Sequence, residues 1–151
     1  MNIKIKIFLP YNPDEIYAHF TGDLFLALAP PLSGIKLIRF DGSKPGSIVE
    51  LQMGPALFNI KWISEITDEY VSEEKIWFQD QGKVLPFFLT YWKHNHIIEG
   101  SNQKSYIIED INYKTGTLLT DVLLYPLLYL QFAYRKYAYP KYFSKIKANP
   151  R

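Results

Sequence analysis

The pattern of apolar and polar positions along most of the chain predicts β-strands. Asn2–Leu9 alternates isoleucines with lysines, which is typical of a strand with one buried face. We interpret six later segments in the same way, since turn signals separate them: Ile35–Phe40, Ser47–Met53, Phe58–Thr67, Tyr70–Gln81, Phe87–Ile98 and Lys104–Tyr113. The connections between neighbouring strands, at 42–46, 68–69 and 100–102, are short. They predict an antiparallel meander, with five strands in residues 47–113.

Two short helices are expected between the first and second strands. Asn12 can cap a helix, Pro13 suits its first position, and Asp14 and Glu15 lie in its first turn. Gly22 ends this helix, and a second follows at Leu24–Leu28.

One long helix is expected near the end of the chain. Leu118–Lys147 is apolar on more than one side, and we place the main helix at about Tyr125–Tyr139. Proline disrupts helix interiors, so we expect Pro126 near the helix start and Pro140 near a kink or an end. The longest uncharged run, 122–134, is shorter than the roughly 20 apolar residues of a membrane span, so no span is expected.

This order of elements predicts an α+β fold within one domain, residues 1–151. A curved antiparallel sheet of six to seven strands would wrap around the C-terminal helix, and the two short helices would close one end.

Composition narrows the functional classes. The chain has 151 residues, a net charge of +2 and no cysteine. The weak charge argues against nucleic acid as a partner, and the missing thiols exclude disulfides, thiol catalysis and zinc–thiolate sites. The first ten residues interrupt their apolar positions with lysines, unlike a signal peptide, so we expect a cytoplasmic protein. Aromatic residues make up 17% of the chain, enough to line a cavity or to fill a core.

Several strings, together with the element order, resemble the START/SRPBCC superfamily of helix-grip ligand-binding domains, and in particular its small stand-alone bacterial members. The strings are FDGSKPG (40–46), KWISEIT (61–67), FQDQGKVLPFFLTYWKHNH (78–96), IEDINY (108–113) and LLYPLLYLQFAYRKYAY (123–139). The resemblance implies a helix-grip fold. It does not select a function, because members bind hydrophobic molecules or catalyse reactions on them.

Polar side chains on predicted inward faces are the most informative feature. Residues two apart on a strand share a face, which places Asp80, His94, His96 and Glu109 toward the helix. Burial of such groups requires partners, so we predict that His94 or His96 lies within hydrogen-bond reach of Glu109 or Asp80.

Four interpretations of this cluster remain open. It can be a structural His–carboxylate pair, the polar end of an apolar cavity, a metal site, or a general acid–base pair. A third histidine is not nearby, so we expect no metal, and we expect no cofactor. The basic residues from Arg135 to Lys147 can contact acidic lipid or nucleic acid, but a solvated helix face is the favoured interpretation.

The predicted function is binding of a small hydrophobic molecule, lipid-, polyketide- or isoprenoid-like, in a cavity of at least a few hundred cubic ångströms between sheet and helix. The alternatives are a cyclase, dehydratase or hydrolase that uses the His–carboxylate pair, and a ligand-free interaction domain. The candidate ligand-binding residues are Phe58, Trp62, Phe78, Asp80, Trp92, His94, His96, Glu109, Tyr113, Leu127 and Phe132.

Overall fold

The computed structural model describes residues 1–31, 33–54 and 60–148. In chain order they form β1 (Asn2–Leu9), α1 (Pro13–Ala18), α2 (Gly22–Ala27), β2 (Lys36–Phe40), β3 (Ile48–Met53), β4 (Ile60–Val71), β5 (Lys75–Val84), β6 (Tyr91–Ser101), β7 (Lys104–Lys114), α3 (Leu118–Ala133) and α4 (Arg135–Ala148). The predicted order of strand, two short helices, six strands and long helix is confirmed.

The seven strands form one antiparallel sheet in the order β1-β7-β6-β5-β4-β3-β2. Every strand except β2 buries alternate residues over part of its length, and β1 shows this most clearly, because all of its odd-numbered apolar residues are buried. The buried faces meet α1, α2 and the C-terminal helices. The fold is the predicted α+β helix-grip architecture, and residues 47–113 contain the five predicted strands.

The β4–β5 hairpin is longer than predicted. The turn expected at Asp68–Glu69 is wrong, because β4 continues to Val71 and the chain reverses after it. Thr67 is an extra residue between the pairs of Ile66 and Asp68 with β5, which is a β-bulge. The charged side chains that suggested a turn lie on the strand beyond this bulge.

The C-terminal helix begins earlier than predicted. α3 starts at Leu118, where the Thr117 hydroxyl accepts a hydrogen bond from the backbone N–H of Thr120 at 3.2 Å. Only Tyr134 separates α3 from α4, and Pro126 and Pro140 both lie inside these helices, contrary to expectation. Burial of Phe132, Tyr139 and Phe143 against the sheet stabilises the helices despite the two prolines.

α3 is apolar on its outer side as well. Leucines on that side are largely exposed: Leu118, Leu119, Leu123 and Leu130. Within the residues described above, no helix has both the length and the apolar character that crossing a bilayer requires.

Candidate functional site

A cavity of about 180 Å³ lies between the sheet, α2 and α3. Its walls are mostly apolar, and the sheet contributes Trp62 and Trp92, whose rings meet edge to face at 4.7 Å. Leu127 also lines it, and since this side chain is 64% exposed it lies where the cavity opens to solvent. The cavity volume is smaller than the few hundred cubic ångströms predicted.

One end of the cavity is polar. Asp80, His94, His96 and Arg135 all line it there, and the buried carboxylate of Glu109 lies behind them. The sheet register brings the group together: Asp80 on β5 is opposite His94 on β6, and His96 is opposite Glu109 on β7. The predicted shared face of these residues is therefore confirmed.

Glu109 is the centre of the buried hydrogen bonds. It is 0% exposed, and its Oε1 accepts from Arg135 Nη1 at 2.6 Å and from the Tyr139 hydroxyl at 2.8 Å. Its Oε2 accepts from His94 Nε2 at 2.5 Å. Burial alone would raise the pKa of Glu109, but Arg135 and the two histidines outweigh burial and hold this pKa well below its usual value.

Asp80 is the second acceptor. Its Oδ1 accepts from Trp92 Nε1 at 3.0 Å, and its Oδ2 accepts from His96 Nε2 at 3.2 Å. The predicted His–carboxylate hydrogen bonds are therefore present at both carboxylates. Burial lowers the pKa of His96, yet the two carboxylates Glu109 and Asp80 raise it more, so the pKa lies above its usual value.

The predicted ligand-binding residues divide into two groups. Seven described side chains line the cavity together with Leu127: Trp62, Phe78, Asp80, Trp92, His94, His96 and Phe132. Glu109 and Tyr113 are not among the described lining residues; Glu109 supports the lining side chains, and the Tyr113 hydroxyl donates to the buried backbone carbonyl of Asp121 at 2.6 Å. Phe58 lies outside the described residues.

Arg135 is the member of the polar cluster that the sequence interpretation missed. We expected it on a solvated helix face, but it is buried, pairs with Glu109, and lies with its guanidinium 4.5 Å from the centre of the Phe132 ring. The signal was its helical spacing: Phe132, Arg135 and Tyr139 are three and four residues apart and share the buried side.

Comparisons with known proteins identify the fold. No protein-family model and no curated protein matches the chain. Among solved structures, a norcoclaurine synthase point mutant from Thalictrum flavum in complex with a transition-state analogue has a TM-score of 0.69 and 16% identity, covering 97% of this chain and 96% of that one. The Zhui aromatase/cyclase from Streptomyces sp. R1128 has a TM-score of 0.71 and 9% identity, covering 97% and 94%.

A third similar structure is Ara h 8.0201, with a TM-score of 0.54, 13% identity, and coverage of 90% of this chain and 95% of that one. At these identities the likeness establishes the fold alone, which is the helix-grip fold that the sequence resemblance implied. The resemblance seen in the sequence is confirmed at that level.

Proposed function

We propose that this helix-grip domain binds a small hydrophobic molecule, about one aromatic ring in size, that carries an oxygen function. The observation that supports this most directly is the cavity itself, which is mostly apolar and ends in a cluster of hydrogen-bonding side chains. Ligand pockets commonly combine apolar walls with a few placed polar groups that fix orientation.

The cavity volume narrows the class of ligand that we propose. An apolar cavity of roughly 150 Å³ is large enough for benzene, so about 180 Å³ suits a single ring with a small substituent. A long acyl chain or a multi-ring polyketide would have to extend out of the cavity through the opening at Leu127. Among the broader lipid-, polyketide- and isoprenoid-like classes, a monocyclic phenol, aldehyde or carboxylic acid is the best match.

A similar structure offers independent support for this size. Norcoclaurine synthase from Thalictrum flavum has been solved in complex with dopamine and hydroxybenzaldehyde, each of which contains one aromatic ring. That structure has a TM-score of 0.58 and 14% identity to this chain, covering 90% of this chain and 84% of that one.

Intrinsic fluorescence tests the proposal. Two of the three tryptophans, Trp62 and Trp92, line the cavity, so 4-hydroxybenzaldehyde bound there should quench the emission. The cavity-filling variant Leu51→Phe should abolish quenching, because Leu51 is a buried lining residue. The matched control Leu26→Phe, at a largely exposed position on α2, should retain it.

Two results would contradict the proposal. One is equal quenching in both variants, which would place the probe elsewhere. The other is that neither 4-hydroxybenzaldehyde nor phenol quenches the wild-type protein up to millimolar concentration, and that native mass spectrometry of freshly purified protein finds no small molecule retained.

A further inference from the structure

Three side chains at the polar end of the cavity offer converging metal-ligand atoms. Asp80, His94 and His96 each offer one ligand atom, and the three atoms lie within 4.8 Å of one another. Asp80 Oδ2 is 3.4 Å from His94 Nδ1 and 3.2 Å from His96 Nε2. Zinc–ligand bonds of about 2.0–2.1 Å at tetrahedral angles separate ligand atoms by about 3.3 Å. The two separations from Asp80 therefore match ligands that share one cation, and the rings of His94 and His96, whose centres are 3.8 Å apart, would move apart to reach tetrahedral angles.

Two outer hydrogen bonds of such a site are also in place, from His94 to Glu109 and from Trp92 to Asp80. The second ring nitrogen of each histidine faces one oxygen, Glu109 Oε2, at 2.5 Å from His94 Nε2 and 3.2 Å from His96 Nδ1. Trp92 donates to Asp80 Oδ1 and leaves Oδ2 facing the histidines. Metal-binding histidines almost always donate their other N–H to a carboxylate, carbonyl or water, which fixes the ring for coordination.

The ring nitrogens of His94 and His96 carry too few N–H groups for the carboxylate oxygens around them. All four ring nitrogens of His94 and His96 face carboxylate oxygens, yet a neutral imidazole carries only one N–H. Two lone pairs would therefore face acceptors unless two additional protons were bound. His96 Nδ1 is buried without a hydrogen-bond partner among the described residues. A dication between Asp80 and the two rings takes the place of two protons and leaves the His94 Nε2–H to donate to Glu109, while His96 Nδ1 lies 3.2 Å from the same oxygen.

We propose that Asp80, His94 and His96 form a zinc site whose fourth coordination position opens to the cavity. Two imidazoles and one carboxylate, with one position left free, is the ligand pattern of catalytic rather than structural zinc. All three residues line the cavity, so the free position faces the space that the organic ligand would occupy. Zinc and Arg135 together exceed the charge of Asp80 and Glu109 by one, so the fourth position favours an anionic oxygen.

This inference goes beyond the proposed function, because zinc binding requires no organic ligand. It also reverses the sequence-based expectation of no metal. That expectation rested on how often the His-x-His spacing occurs by chance and on the lack of a third nearby histidine, whereas in the fold Asp80 lies close enough to be the third ligand.

Calorimetric titration of tag-free, chelator-stripped protein with Zn²⁺ tests the site. One Zn²⁺ should bind per chain, and at 100 times Kd the folded-to-unfolded ratio should rise about 100-fold. Asp80→Asn should weaken binding more than 100-fold. Trp92→Phe, which removes the outer hydrogen bond to Asp80 together with part of a buried ring, should weaken it about 10- to 100-fold. His19→Gln is the matched control: this histidine packs against Tyr142 and Phe143, away from the cluster, and the variant should bind zinc like the wild type.

Failure of the wild-type protein to bind zinc, or equal affinity in Asp80→Asn and His19→Gln, would overturn the proposal. A second measurement needs no variant, so it is independent of any folding defect. Co²⁺ added to the stripped wild-type protein should give the intense visible absorption of tetrahedral coordination. A weak octahedral spectrum would overturn the assignment to tetrahedral zinc.

Discussion

Glu109→Gln is the substitution that tests the buried cluster most directly. Gln has nearly the same shape as Glu, so the change removes charge without opening a cavity. Glu109 is fully buried and accepts hydrogen bonds from Arg135, Tyr139 and His94. In the variant the guanidinium of Arg135, which is itself buried, loses its charged partner.

The magnitude follows from the burial of both groups. Breaking a buried ion pair by removing one partner costs about 3–5 kcal/mol. Because the Gln side-chain oxygen can still accept hydrogen bonds, we expect the lower end, about 3 kcal/mol. For a chain of this size, 1 kcal/mol lowers the melting temperature by about 2–4 °C, so the expected decrease is about 6–12 °C.

Thermal unfolding followed by circular dichroism, with chelator present, measures the effect. The matched control is Glu99→Gln on β6, where the carboxylate is exposed and lies 3.8 Å from the Lys6 ammonium. Such surface pairs contribute about 0–1 kcal/mol, so the control should lose no more than about 4 °C. Glu109→Gln combined with Arg135→Met should lose less than the sum of the two single variants, because neither charge is then left alone. Equal melting temperatures for Glu109→Gln and Glu99→Gln, or additive losses in the double variant, would refute the reasoning.

Two further variants test the scaffold around the site. Gly100→Ala should destabilise the protein much more than Gly46→Ala. A Cβ at Gly100 would lie 2.1 Å from the Lys104 carbonyl oxygen, whereas a Cβ at Gly46 would meet no described atom within 4 Å. Similar denaturant midpoints for the two variants would contradict this. Tyr113→Phe should cost about 1–3 kcal/mol in urea unfolding, because the buried Asp121 carbonyl loses its donor, while zinc affinity stays unchanged; a change in zinc affinity without loss of stability would contradict the structural role of Tyr113.

The residues on the inward faces of the strands could be predicted from the sequence, because the alternation of side chains along a strand is a local property. Side chains alternate along any strand, so two-residue spacing alone placed His94 and His96 on one face, whatever the rest of the chain did. The same argument placed Asp80 and Glu109, and the requirement that buried polar groups find partners predicted the His–carboxylate contacts.

Helix bounds and strand lengths could be predicted only approximately. Local preferences place prolines outside helix interiors and charged pairs in turns, and both rules failed here. Pro126 lies inside α3, and Asp68 lies within β4, because packing against the sheet and pairing with β5 outweigh these preferences.

Only the tertiary structure determined which side chains come together in the site. Arg135 follows Glu109 by 26 residues, and only the docking of the C-terminal helix onto the sheet brings its guanidinium to 2.6 Å from that carboxylate. The same docking sets the cavity volume and completes the set of hydrogen-bond partners around Glu109. The Oε2 atom of this carboxylate lies within 3.2 Å of one ring nitrogen of each histidine. Periodicity specifies which way a side chain points within its own element. The distances between elements far apart in the chain depend on how all of their side chains pack at once, and no local pattern in the sequence contains that information.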